Sequence, residues 1–592
     1  SGINVPISNM LHHYLITEPI QELIDLELEL PVVRDPYSHC YLREETDGIL
    51  IGPYETAGAH LCFEDGVPWD FESELVAPEV DRLMPWLEKA TERLPLFGKA
   101  GLKNVISGAI THTPDGNFLL GPAGGVTNYW MCCGAAVGIA QGAGAGKYLA
   151  QWMVHGDCDI NMAEFDPRRF GDWATSDYTK IKSIEDYQAM YTCLAPGEQH
   201  PGGRPLRISS LYEILKNHGA QFEQVFGWER PSWYDTSGKG AICSFRRSNA
   251  FSAVAAECKA VRETVALMDL STFSKFDVTG KDACDFLNRI CANKMPGKTG
   301  GIALAHLLSE NGRIEGEVTV TRLADDHFYV LSGATAQIRD FDSMQNAILA
   351  GQDVTITDIT DDYGTLVLAG PMSRRVLCKC TDADLSNGTF AWLTGRQMEV
   401  AGVNLRALRV SYVGELGWEL HIPMADMPGV FDALMQAGTE FGIGLFGTYA
   451  MNSLRLEKAF RGMGSELTAE VNMVEADMER FVGWEKDNYI GKAATDKARQ
   501  GGVSQKLVYL TVDTTGADCR GNEPVYHEEK LVGVTTSGGY GHTVGTSLAF
   551  AYVEARCSEP GTVLEVRVLG TRCQAVVESK PLWDPTAQRM RG

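Results

Sequence analysis

Apolar residues in the first 155 positions come in short runs broken by turn formers. Pro31-Val32-Val33-Arg34-Asp35 leads into Cys40-Tyr41-Leu42-Arg43 and then Gly48-Ile49-Leu50-Ile51-Gly52, a pattern of sheet strands. Across 79–94 apolar positions recur at helical spacing, with Pro85 marking a start or a kink. Thr113-Pro114-Asp115-Gly116 is a tight-turn sequence. A strand follows it, and then a glycine-rich segment over 134–146 that runs into Lys147-Tyr148-Leu149 as a helix start. Residues 156–240 change character, with Pro196, Pro201 and Pro205 among Trp173, Trp228 and Trp233, as in a connecting domain with ordered loops. From 245 to 490 helix and strand patterns alternate. Over 507–583 strands with spaced glycines predict a small β-barrel.

A chain of 592 residues is too long for one core. The pattern divides it at 1–155, 156–244, 245–498 and 499–592, an α+β multidomain protein. The net charge of −25 argues against nucleic acid and against anionic membrane surfaces as partners. The longest stretch without charge, 116–146, holds Pro122 and many glycines and is too weakly apolar to span a membrane. The 15 cysteines form no C-x-x-C pair, so neither a structural zinc site nor any other metal is expected. Scattered thiols fit the reducing cytoplasm of a bacterium or a mitochondrial matrix. Ser1-Gly2-Ile3-Asn4-Val5-Pro6 lacks an initiator Met and has no secretory character, so preceding sequence is expected.

The glycine-rich segment suits two roles equally: cradling a phosphate at a helix N-terminus, or close packing of a helix on a sheet. No G-x-G-x-x-G follows a strand, and no P-loop sequence is present. By themselves His12 and Tyr41 are compatible with ordinary structural roles.

Order gives these segments more meaning. His12-His13-Tyr14-Leu15-Ile16-Thr17-Glu18-Pro19-Ile20 is followed by Asp35, then Tyr41-Leu42-Arg43-Glu44, then Gly48-Ile49-Leu50-Ile51-Gly52-Pro53-Tyr54-Glu55, then the T-P-D-G turn and the glycine-rich helix start. This series resembles the dimethylglycine and sarcosine dehydrogenase/oxidase family, where it forms the substrate sheet and the second half of the FAD-binding fold. The resemblance implies that His12 and Tyr41 are the active-site pair. Oxidation of an N-methyl amine needs a free nitrogen lone pair, and a histidine of near-neutral pKa with a tyrosine hydroxyl could take the amine's proton. Arg43 is a candidate for the substrate carboxylate, since a guanidinium binds one bidentately. Thr113, Asp115, Gly134 and Gly138 are the candidates for cofactor contact. The chain departs from many relatives at Ala109-Ile110, where an acidic residue is common. The first βαβ unit, with the dinucleotide fingerprint, is expected outside the chain, as a missing N-terminal FAD-binding segment or subunit.

Beyond 245 the segments Met268-Asp269-Leu270-Ser271, Phe276-Asp277-Val278-Thr279-Gly280, Leu368-Ala369-Gly370-Pro371, Arg409-Val410-Ser411-Tyr412-Val413-Gly414-Glu415-Leu416-Gly417-Trp418-Glu419-Leu420 and Ser453-Leu454-Arg455-Leu456-Glu457-Lys458 occur in order. They resemble the aminomethyltransferase (glycine-cleavage T-protein) family, which implies a central tetrahydrofolate pocket. Glu415 could accept from the adjacent N–H groups of a pterin, and Tyr412 could stack on it or close the pocket. Glu317 falls where the family has an essential Asp beside the folate nitrogens, and Met451 where it has an Arg.

Together the two resemblances imply an FAD-dependent N-methyl amine dehydrogenase or oxidase. It would demethylate a dimethylglycine- or sarcosine-type amino acid and pass the one-carbon unit to tetrahydrofolate as 5,10-methylene-tetrahydrofolate. Oxygen and an electron-transfer flavoprotein are both possible acceptors. The alternatives are a folate-dependent methyl or aminomethyl transferase without redox chemistry, or a non-catalytic subunit of a flavoenzyme complex.

Overall fold

The computed structural model describes residues 2–72 and 74–592. The chain forms two compact units, one of Ser1–Ala150, Met162–Leu194 and Glu198–Arg204, the other of Gln151–Asn161, Ala195–Gly197 and Pro205–Gly592.

The first unit is built on a five-stranded sheet in the order Val33–Asp35, Cys40–Glu45, Gly48–Pro53, Ser8–Thr17, Leu102–His112. Every pairing is antiparallel. Side chains alternate across the sheet, so each strand feeds two faces. On one face Leu15, Ile49 and Ile51 pack against Leu83, Trp86, Leu87 and Ala90 of the helix Val80–Arg93. Pro85 lies inside that helix and forfeits one backbone bond, which the buried stripe outweighs. On the other face Met10 packs with Tyr54, Leu61 and Tyr187. Tyr187 comes from the helix Ser176–Ala189, whose first turn is capped by the Thr175 hydroxyl. Residues 156–244 are thus shared out: this helix belongs to the sheet unit, while the hairpin Ala220–Val225 with Trp228–Tyr234 belongs to the second.

After the sheet, Leu119–Pro122 pairs with Trp130–Cys133, the chain turns at Gly134 with φ +82°, and the helix Gly138–His155 begins. A Cβ at Gly134 would sit 2.7 Å from the Thr113 methyl, so the turn requires glycine both for its φ and for its space.

The second unit holds a six-stranded sheet, a five-stranded sheet and a closed six-stranded barrel. The barrel closes because Gln505–Val512 pairs with both Thr546–Glu554 and Thr571–Glu578. Its interior is filled by Val508, Leu510, Val525, Ala549, Ala551, Leu564, Val566 and Val577. The six-stranded sheet buries Trp418 and Leu420 against Phe431 and Leu434 of the helix Met427–Gly438. Among the described residues no helix is long and apolar enough to cross a membrane, and no cluster of metal-ligating side chains occurs.

A buried ion cluster ties this unit together. Arg262, on the helix Ala250–Glu263, donates to the Val413 carbonyl at 2.6 Å, to Glu415 Oε1 at 3.2 Å and to Glu457 Oε2 at 2.7 Å. All three side chains are buried. Removing Arg262 takes the cation from buried Glu457 and one of the donors from Glu415. Arg262→Met is expected to destabilise this unit by about 3–5 kcal/mol, read as a lower denaturant midpoint in equilibrium unfolding; an unchanged midpoint contradicts the cluster's role.

Candidate active site and folate pocket

In the first unit the sheet brings His12 and Tyr41 together. His12, on the central strand Ser8–Thr17, points to the face opposite His13 and is 8% exposed. Its Nε2 lies 3.2 Å from the Tyr41 hydroxyl and its Nδ1 3.0 Å from the Tyr187 hydroxyl. The Tyr54 ring packs on the imidazole, centroids 4.6 Å apart. Tyr187 donates in turn to Glu55 Oε2. Glu55 is fully buried, with Arg82 Nη2 2.9 Å from its other oxygen. The Tyr41 ring lies flat over the neighbouring strand because the residue paired with it is Gly52: a Cβ there would fall 2.0 Å from Tyr41 Cζ.

Burial lowers the His12 pKa from its usual 6.5 to about 3, aided by His13, His112 and Arg82 nearby. A base of near-neutral pKa is therefore not what the fold provides; His12 is neutral at any working pH. Burial likewise pushes the Tyr41 hydroxyl well above 10. The pair is an uncharged hydrogen-bonded couple. Arg43 lies two residues beyond Tyr41 on the same strand, exposed and paired with Glu45.

The T-P-D-G turn consumes its own side chains. Asp115 is clasped by Arg169 at 2.6 and 2.8 Å and accepts from Asn117 N–H at 3.1 Å, while the Thr113 hydroxyl donates to the Asn117 carbonyl at 2.7 Å. Thr113 and Asp115 shape the turn: their side-chain bonds are local or to Arg169. Gly134 ends the preceding strand and Gly138 opens the helix. A Cβ on Gly142, Gly144 or Gly146 would meet nothing within 4 Å, and Gly142 and Gly146, one turn apart, share a helix face.

In the second unit Glu317 stands directly opposite His306 in the ladder of Ile302–Leu308 with Ile314–Ala324, its Oε2 3.0 Å from His306 Nε2. His306 is fully buried and its Nδ1 has no hydrogen-bond partner. Glu317's charge helps to raise the Tyr412 hydroxyl, after burial itself. Tyr412 donates to the Arg461 carbonyl at 2.9 Å and stacks with Phe460. A half-buried carboxylate beside a buried aromatic fits a heterocycle with N–H donors. Glu415 does not share this place. Its oxygens are held by Arg589 Nε at 2.7 and 2.8 Å, Trp583 Nε1 at 3.0 Å and Arg262, and it is 1% exposed. The V-G-E-L-G carboxylate is a structural anchor, because the C-terminal segment saturates it.

Sequence reasoning missed Tyr187, Glu55 and Arg82. Glu55 stands two residues past the strand Gly48–Pro53, and Tyr187 is 175 residues from His12; no local pattern links them.

A sheet carrying this buried pair, with a T-protein-like unit and barrel following in one chain, defines an FAD-dependent oxidoreductase fused to a folate-binding aminomethyltransferase-like region. The family models agree: FAD dependent oxidoreductase over residues 1–152, FAD dependent oxidoreductase central domain over 155–209, GCVT N-terminal domain over 211–486, and glycine cleavage T-protein C-terminal barrel domain over 505–584. The chain is 40% identical to mitochondrial dimethylglycine dehydrogenase of Homo sapiens over 100% of its own length and 69% of that protein. It is 32% identical to 4-methylaminobutanoate oxidase (formaldehyde-forming) of Paenarthrobacter nicotinovorans over 100% and 72%, and 30% identical to mitochondrial sarcosine dehydrogenase of Mus musculus over 100% and 69%. The glycine cleavage aminomethyltransferase T structure from Bartonella henselae superposes with a TM-score of 0.56 at 25% identity, covering 64% of this chain and 99% of that one. The chain belongs to the dimethylglycine/sarcosine dehydrogenase family, and FAD and tetrahydrofolate are its cofactors. The oxidoreductase match covers residues 1–152, so sequence of the FAD-dependent oxidoreductase domain is present from the first residue, against the expectation of a missing N-terminal FAD-binding segment or subunit.

Gly52→Ala is expected to displace the Tyr41 ring and to lower amine-oxidation kcat/KM by about 10²-fold. Combined with Tyr41→Phe it should add little further loss. Full activity of Gly52→Ala contradicts the placement of Tyr41.

Proposed function

We propose that this chain oxidatively demethylates an N-methylated amino acid of the dimethylglycine or sarcosine type and delivers the one-carbon unit to tetrahydrofolate as 5,10-methylene-tetrahydrofolate. The uncharged, hydrogen-bonded pair of buried His12 and half-buried Tyr41 in the oxidoreductase sheet carries this reading. An ammonium entering such a site loses its hydration and finds no anion in the pair, so the free amine is the favoured form. The Tyr41 oxygen orients the amine, His12 holds Tyr41, and Arg43 is proposed to receive the substrate carboxylate. FAD, when bound, supplies the hydride acceptor; Gly134 and Gly138 frame its approach. Glu317, held by His306, is proposed to orient the tetrahydrofolate nitrogens that accept the one-carbon unit, with Tyr412 closing the pocket.

Several features support the remaining assignments. Thiols that are all free fit the cytoplasm of a bacterium or a mitochondrial matrix. The electrons pass on either to oxygen or to an electron-transfer flavoprotein. The domain boundaries are proposed at 155, 244 and 498, with the barrel beyond.

Anaerobic mixing of the flavin-loaded protein with dimethylglycine or sarcosine tests the reading. Bleaching of the flavin absorbance is expected, slowed about 10²-fold in Tyr41→Phe; no bleaching with any N-methyl amino acid contradicts it. During turnover with tetrahydrofolate, Glu317→Gln should raise free formaldehyde and lower the methylene-tetrahydrofolate yield by about tenfold or more. An unchanged product ratio removes Glu317 from the site.

A further inference from the structure

We infer that Tyr187 and Glu55 are positioning residues that fix the tautomer of His12 and so turn the lone pairs of Tyr41 toward the substrate. The inference rests on the proposed amine oxidation for its purpose, but its geometry stands by itself. It follows from the directions the hydrogen bonds must take.

Glu55 is fully buried and ion-paired through Oε1 to Arg82 Nη2 at 2.9 Å. An ionised carboxylate only accepts, so the hydroxyl against Oε2 must be a donor. Tyr187 therefore spends its one proton on Glu55. Its oxygen can then only accept from the remaining neighbour, His12 Nδ1 at 3.0 Å. His12 is thereby the Nδ1–H tautomer, and Nε2 keeps a bare lone pair. The Tyr41 hydroxyl, 3.2 Å from Nε2, must donate to it. Tyr41 then has no proton left for the substrate side, and its oxygen faces an incoming amine as an acceptor of N–H. The sequence Tyr41 → His12 → Tyr187 → Glu55 is one directed chain anchored on Arg82.

The other titratable neighbours leave this direction alone. His112, on the adjacent strand, gives Nδ1 to Asp186 Oδ2 at 2.8 Å and meets Tyr187 only edge-on. His13 turns to the opposite face, where its Nε2 accepts from the Glu79 backbone N–H. Tyr54 packs by its ring.

Glu55→Gln tests the direction while keeping every heavy atom in place. The Arg82 guanidinium, a cation that only donates, faces the Oε1 position and favours the amide oxygen there, which turns the amide NH₂ onto Tyr187. Tyr187 must then donate to His12 Nδ1, His12 becomes the Nε2–H tautomer, and Tyr41 accepts from His12 and points its proton at the substrate. The readout is ¹⁵N NMR of histidine-labelled, flavin-loaded full-length protein, with His12 assigned by its loss in His12→Gln. The expected result is a protonated Nδ1 and bare Nε2 in the native protein, inverted in Glu55→Gln. Tyr187→Phe should abolish the single tautomer. Both variants should lose kcat by about 10²-fold with a smaller change in KM, since the substrate's carboxylate contacts are untouched. A native Nε2–H tautomer, or one that Glu55→Gln leaves unchanged, overturns the inference. If the native tautomer is as stated but no N-methyl amino acid reduces the flavin, the tautomer stands and the proposed function falls.

Discussion

The first unit depends on burying an imidazole without charge. Burial first, and then His13, His112 and the Arg82 guanidinium, disfavour an imidazolium at His12. The buried carboxylate Glu55 is already committed to Arg82 and Tyr187. Neutral His12 must still satisfy one donor and one acceptor in a space closed to water. The tyrosines at its two nitrogens do this, and each is placed by a different element: Tyr41 by an edge-side strand opened at Gly52, Tyr187 by a helix capped at Thr175. The site is thus a consequence of how the sheet is covered, since the same helix that buries Met10 and Tyr54 delivers the hydroxyl that holds the histidine.

The second unit solves a charge problem of the opposite kind. There the carboxylates Glu415 and Glu457 are buried, and Arg262 answers both. Arg589 and Trp583 complete Glu415 from the end of the chain. A carboxylate so fully engaged is an anchor, whereas Glu317, with His306 as its one side-chain partner among the described residues and part of its side chain exposed, keeps bonding capacity for a ligand. The number of partners, more than motif position, separates the structural glutamate from the candidate functional one.

Much of this was legible in the amino-acid sequence. The short apolar strand Gly48–Pro53, the helix over Val80–Arg93 and the terminal barrel all follow from the hydrophobic pattern: the strand is an apolar run buried along its whole length, and the helix buries one face at its own spacing. His12 and Tyr41 became recognisable through the order of segments around them. What remained hidden has physical reasons. The pKa of His12 is set by desolvation, which arises only when distant elements close over it. Tyr187 lies in a stretch whose composition resembles a linker, and its role comes from tertiary packing on a strand 175 residues away. Asp115 looked available until Arg169, 54 residues on, was seen to claim both of its oxygens.

The hydrogen-bond chain depends on His12 remaining neutral, and the most direct measurement is an NMR titration of its imidazole ring carbons in the intact protein, assigned against His12→Gln. With a pKa lowered to about 3, the His12 resonances should not move between pH 8 and pH 5. A His12 titration with a midpoint between pH 6 and 7 would contradict the buried, directed hydrogen-bond chain on which the mechanism is built.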